Sequence, residues 1–222
     1  MNFNEALRDP DRKAFIIKVY SIVACQLGLT TLLTAYIYAS DDRKEWVRDN
    51  IWLYYVSIVI GMGLLCSLIC CVKNARKVPL NYILLGTFTL CWSYMVAGIT
   101  QFYEPQDVFV AAALTCAMVC GLTLFACCTK MKLNWLFGIG AAMSVAVWPL
   151  IIFSWIWPSH LLFNIIAFLV VIMTSIYIVW DTKMIMSEKK GFSTDDYIIA
   201  ALILYVDIVQ LFIWILSLLG NN

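Results

Sequence analysis

Apolar residues gather along this chain in seven long runs, and the polar positions fall between them in short connectors. About 20 apolar residues cross a hydrocarbon core of ~30 Å as a helix. The pattern therefore predicts seven membrane spans, at 14–39, 51–72, 80–101, 108–128, 134–157, 161–190 and 195–219. The first run exceeds the roughly 7–15 apolar residues of a signal-peptide core, so it is expected to remain uncleaved. Segment 40–50, balanced in charge and rich in acids, reads as a loop. Gly61 and Gly63 in the second span leave room for a neighbouring helix. The small and hydroxylated residues of the third span (Gly86, Thr87, Thr89, Ser93, Gly98 and Thr100) predict a helix packed on several sides. Pro79 suits the first turn of that helix, where a missing N–H costs nothing. Pro149 is expected to kink the fifth. Gly191 reads as the left-handed stop of the sixth span, and Ser193 or Thr194 as the cap of the seventh.

Composition agrees. The chain has 222 residues, 63% of them hydrophobic, and a mean hydropathy of +0.87. That is far above the roughly 45–50% apolar content of soluble domains and leaves no stretch for a separate soluble domain. The fold class is an all-α integral membrane protein, one seven-helix domain over residues 1–222. A net charge of +1 supplies no basic stripe for nucleic acid. The nine cysteines lie within or at the ends of apolar runs, without metal-ligand spacing, and read as small hydrophobes. Cys71 and Cys128 end runs beside basic connectors, where acylation is feasible. His160 stands alone in a loop. Nothing here calls for a resident cofactor or a catalytic group.

Charge also sets orientation. With the N-terminus in the cytosol, that side holds Arg8, Arg12, Lys13, Lys18, Lys73, Arg76, Lys77, Lys130, Lys132, Lys183, Lys189 and Lys190; the far side holds Arg43, Lys44 and Arg48. The connectors are short, so the positive-inside rule puts the N-terminus in the cytosol and the C-terminus across the membrane. Lys18, one turn inside the first span, is expected to snorkel back to the interface.

Two acids stand out. Asp181 follows the apolar run 161–180, and Asp207 lies inside the run 197–219. An ionised carboxylate at such depth costs ~2.5–3.5 kcal/mol and needs a partner, a proton or water. The two spans form a hairpin, and counting back from Lys190 and on from Asp195 puts the carboxyls within ~4.5 Å of the same depth. Facing each other, they would not both stay charged and would share one proton near neutrality. Raising the pH would remove it and drive the helices apart. A cation passing between them would most naturally be Ca²⁺, which prefers oxygen ligands. Against this stands a local role, with Asp207 bonded to Gln210 one turn on and Asp181 marking the membrane edge. Arg76 and Lys77 are available as charge partners for Asp181.

Several stretches carry a family resemblance. They are Ala14-Phe15-Ile16-Ile17-Lys18-Val19-Tyr20, Pro79-Leu80-Asn81 with Phe88-Thr89-Leu90, and Tyr177-Ile178-Val179-Trp180-Asp181-Thr182. The seventh span adds Asp196-Tyr197-Ile198-Ile199-Ala200-Ala201-Leu202 and Leu204-Tyr205-Val206-Asp207-Ile208-Val209-Gln210-Leu211-Phe212. The chain resembles the Bax-inhibitor or Lifeguard family over nearly its whole length. The resemblance implies a seventh helix at the centre, wrapped by the other six, and a pH-sensing aspartate pair at Asp181 and Asp207. It also implies a Ca²⁺ leak from internal stores and protection from apoptosis-like death. Trp180 replaces the usual Tyr, Gln210 replaces a common Asn, and the long Pro/Gly-rich tail of many members is missing. The last difference favours the Golgi or the endoplasmic reticulum over the plasma membrane. Expected partners are the bilayer, Ca²⁺ and membrane or death-regulatory proteins.

Two rival classes fit less well. An intramembrane aspartyl protease also pairs two aspartates, but its second site needs a glycine before the acid, and Leu204-Tyr205-Val206-Asp207 has none. A seven-helix receptor puts its N-terminus outside. A membrane scaffold that acts by binding partners, with the aspartates holding the fold, is the remaining alternative.

Overall fold

The computed structural model describes residues 9–71, 75–129, 133–187 and 192–220. Among them are eight helices: α1 (Pro10–Tyr38), α2 (Asp41–Asp49), α3 (Ile51–Cys70), α4 (Leu80–Thr100), α5 (Pro105–Cys128), α6 (Leu133–Ile156), α7 (His160–Met186) and α8 (Tyr197–Leu219). All but α2 are long and apolar enough to cross a membrane. Large apolar side chains stay exposed along them, such as Leu32, Val59, Phe109, Val145 and Trp155. On helices of this length that is a lipid-facing surface. α8 is the most buried of the seven, with 61% of its most apolar stretch inside, and α4 follows at 50%.

The helix ends follow capping chemistry more than hydropathy. α1 begins four residues before its apolar run because Asp9-Pro10-Asp11 is a helix start: Asp9 Oδ1 accepts from the N–H of Asp11 at 3.1 Å, and proline suits the first position. Segment 40–50 is the helix α2 rather than a loop. Asp41 and Asp42 sit in its first turn and Arg48 in its last, the arrangement a helix dipole favours. Its one buried residue, Val47, packs with Ile37 and Ala97. Arg48 donates to the carbonyl of Gln101 at 3.3 Å, past the end of α4. α6 runs through Pro149 without interruption. α7 stops at Met186, short of the predicted 190, with Ser187 extended behind it. α8 starts at Tyr197 after a turn at 194–195. The proposed stop at Gly191 lies outside the described residues, as do Arg8, Lys73, Lys130, Lys132, Lys189 and Lys190 of the orientation count.

The helices divide into two compact units. Among the described residues the first comprises 9–13, 105–129, 133–187 and 206–220, and the second 14–71, 75–104 and 192–205. In the first unit, α7 packs on both α5 and α6. Tyr177 lies against Gly140, where a Cβ would come within 3.1 Å of its ring, and its hydroxyl is 2.8 Å from Ser144 Oγ. Val147, Ile166 and Val170 form the buried seam of this unit, with Trp214 of α8 packed on it.

In the second unit, α3 and α4 run in contact. The approach uses Gly61 against Trp92 and Gly98 against Tyr54, where a Cβ would meet ring carbons at 3.1 and 2.9 Å. Gly63, expected to do the same, faces open space. A buried polar hub joins α1, α4 and α8. Thr30 Oγ1 lies 2.9 Å from the carbonyl of Gln26 and 2.8 Å from both Ser93 Oγ and Tyr205 OH. One donor and two lone pairs match those three contacts, which fully satisfies the hydroxyl.

Candidate functional site

Asp181 lies five residues before the end of α7, on a face that also buries Ile178, Thr182 and Ile185, and is 2% exposed. Asp207 lies ten residues into α8. Both belong to the first unit, and the two carboxyls lie close enough to act on each other directly. An ionised carboxylate can only accept, so a hydrogen bond between two of them would require a proton. Oδ1 of Asp181, Oδ2 of Asp207 and the hydroxyl of Thr182 are buried polar atoms to which no other side chain or backbone group donates.

The helix ends differ from those expected at 190 and 195: α7 ends at Met186 and α8 begins at Tyr197. Counted from the observed ends, Asp181 and Asp207 stand five and ten residues in, a difference of ~7.5 Å along the helices. Gln210, the local partner considered for Asp207, is exposed.

The charge partners differ from those expected. The guanidinium of Arg76 grips the carboxylate of Asp196 through two bonds, Nε to Oδ1 at 2.8 Å and Nη2 to Oδ2 at 3.0 Å. Arg76 thus ties down the residue just before α8 rather than serving Asp181. A bidentate arginine–carboxylate pair is the geometrically favoured use of that side chain. Lys77 is exposed.

Two cations counted as topogenic instead hold the end of α7. Arg12, 2% exposed, donates from Nη2 to the carbonyls of Met184 at 3.0 Å and Ser187 at 2.7 Å. These are carbonyls at a helix C-terminus, where the partial charge is negative. Lys183, in the same last turn, donates to the carbonyl of Thr129 at 2.7 Å, just past the end of α5. The turn that follows Asp181 is thereby fixed from both directions. The signal missed in the sequence was Asp9-Pro10-Asp11: a helix start there places Arg12 inside the structure rather than ahead of it.

Among the described residues no group of three or more metal-binding side chains comes together. Two carboxyls offer at most four oxygens, against the 6–8 that Ca²⁺ takes in a resident site.

Comparison with known proteins bears on the same residues. The model of the family described as "Inhibitor of apoptosis-promoting Bax1" matches residues 12–222, and so spans both aspartates. Protein lifeguard 3 of Mus musculus and that of Homo sapiens are each 29% identical over 219 residues, covering 95% of this chain and 70% of theirs. Protein lifeguard 4 of Mus musculus is 30% identical over 211 residues, covering 94% of this chain and 85% of its own. Seven membrane-length helices and a family match running from the first of them to the end of the chain make this protein a member of the Bax-inhibitor family.

Proposed function

We propose that the protein is a pH-sensitive Ca²⁺ leak of an internal membrane, Golgi or endoplasmic reticulum, closed by the proton that Asp181 and Asp207 share. The observation that carries this reading is that the two carboxyls, on α7 and α8, come close enough inside the first unit to act on each other directly. While the proton is present, the bond links α7 to α8. When the pH rises and the proton leaves, two like charges remain at hydrogen-bonding distance. At an effective dielectric of 20 their repulsion at 4 Å is ~4 kcal/mol, enough to bias two conformations by orders of magnitude. The sign is therefore fixed: flux is low at acid pH and grows as the pH rises. A steady leak would lower the Ca²⁺ content of the store, and a link from there to cell-death suppression accords with the family's description.

The test is Ca²⁺ entry into liposomes holding the purified full chain, followed with an enclosed dye across the pH range. Flux that climbs with pH, and a pH response abolished in the Asp181→Asn/Asp207→Asn double variant, supports the leak. No flux above empty liposomes at any pH, or an identical profile in the double variant, removes it and leaves a scaffold whose aspartates serve the fold.

A further inference from the structure

In the second unit a groove of about 400 Å³ runs between α1 and α4. Its walls come from Ser21, Cys25 and Leu29 of α1 and from Tyr82 and Gly86 of α4, all exposed, so on membrane-length helices it opens sideways to lipid. Small side chains make the room: a Cβ built on Gly86 would meet nothing within 4 Å.

Lys18 stands at the head of this groove. Its ammonium lies 3.3 Å from the centroid of the Tyr197 ring, and Asn81 Nδ2 donates to the Tyr197 hydroxyl at 3.2 Å, which holds the ring in place. Among the described residues no carboxylate pairs with Lys18. Tyr197 is the first residue of α8, so the ammonium sits level with a helix end. Helix length agrees: the 29 residues of α1 extend ~43 Å against a hydrocarbon core of ~30 Å, and Lys18, ~12 Å from its start, lies just inside the boundary with its amine reaching outward. This is the end that the basic connectors mark as cytosolic.

A fixed cation with no carboxylate partner among the described residues, at the headgroup level and above an open apolar trough of about 400 Å³, has an evident complement. We infer that the α1–α4 groove holds an anionic phospholipid of the cytosolic leaflet, its phosphate on Lys18 and one acyl chain lying along Ser21, Cys25 and Gly86. Charge selects this occupant over a neutral lipid, since basic pockets between helices on that side bind anionic headgroups. The groove involves neither aspartate, and the inference does not depend on their role.

The full-length protein, stripped of co-purified lipid in detergent, is titrated with phosphatidylserine or phosphatidylcholine and the bound lipids are weighed by native mass spectrometry. The wild type is expected to hold one phosphatidylserine about fivefold more tightly than phosphatidylcholine, the worth of one basic residue at an anionic surface. Lys18→Gln should erase the preference, and Gly86→Leu, which fills the trough from a position with free space, should lose the tightly held lipid. Both side chains lie at exposed positions, so both variants should fold, and unchanged thermal unfolding checks this. No preference in the wild type, or a preference that survives either substitution, overturns the site.

Discussion

Asp207→Asn is expected to flatten the pH response of Ca²⁺ flux and hold it near its acid level. An asparagine amide donates to the remaining carboxylate without a proton that alkali can remove, so the link between α7 and α8 persists as the pH rises. At alkaline pH the variant should pass at least about tenfold less Ca²⁺ than the wild type, since even a third of the ~4 kcal/mol repulsion is worth that factor. Asp181→Ala should behave in the opposite way. It leaves Asp207 with neither partner nor proton donor, and breaking a buried pair from one side costs ~3–5 kcal/mol. Lower thermal stability and flux that no longer closes at acid pH are the readouts. Matching flux profiles for the two variants would mean that the carboxyls do not act through their mutual bond.

Arg12→Ala should produce the largest loss of stability away from the carboxyls. Its guanidinium is almost fully buried and makes two charge-assisted bonds, to the carbonyls of Met184 and Ser187. Bonds to charged donors contribute ~1.5–3 kcal/mol each, so a total of about 3 kcal/mol is expected, with Arg12→Lys recovering part of it. The damage should be local first. Amide exchange should quicken at the end of α7, where the N–H of Ser187 now bonds the carbonyls of Lys183 and Met184. Slow exchange there in the alanine variant would show that the clamp contributes little.

These two expectations mark what the sequence made legible. The seven spans were readable because lipid demands long apolar runs and permits few other structures, and their ends came within a few residues. Asp181 and Asp207 were readable for the converse reason: an acid among apolar residues violates the same demand and stands out. Hydropathy says nothing about short charged helices, so α2 passed for a loop although Asp41, Asp42 and Arg48 already marked its two ends. It also treats every arginine near a membrane edge alike. Arg12, Arg48 and Arg76 look equivalent in sequence, yet one is buried on helix carbonyls, one caps a neighbouring helix and one grips Asp196. Which carbonyl or carboxylate a long side chain reaches depends on tertiary placement, and no local pattern encodes it. Lys18 fell between these cases: its snorkelling was foreseeable from depth, but the tyrosine ring beneath it was not.

The proton proposed to lie between the two aspartates can be sought without any flux measurement. A protonated carboxyl buried in a protein has its own infrared carbonyl stretch, separate from that of ionised acids in water. Spectra of the full chain in lipid, recorded against pH, should contain one such band near neutral pH. The band should fade as alkali is added and be missing in the Asp181→Asn/Asp207→Asn double variant. A band that persists in that variant, or two fully ionised aspartates throughout the range, would contradict the shared proton and the switch built on it.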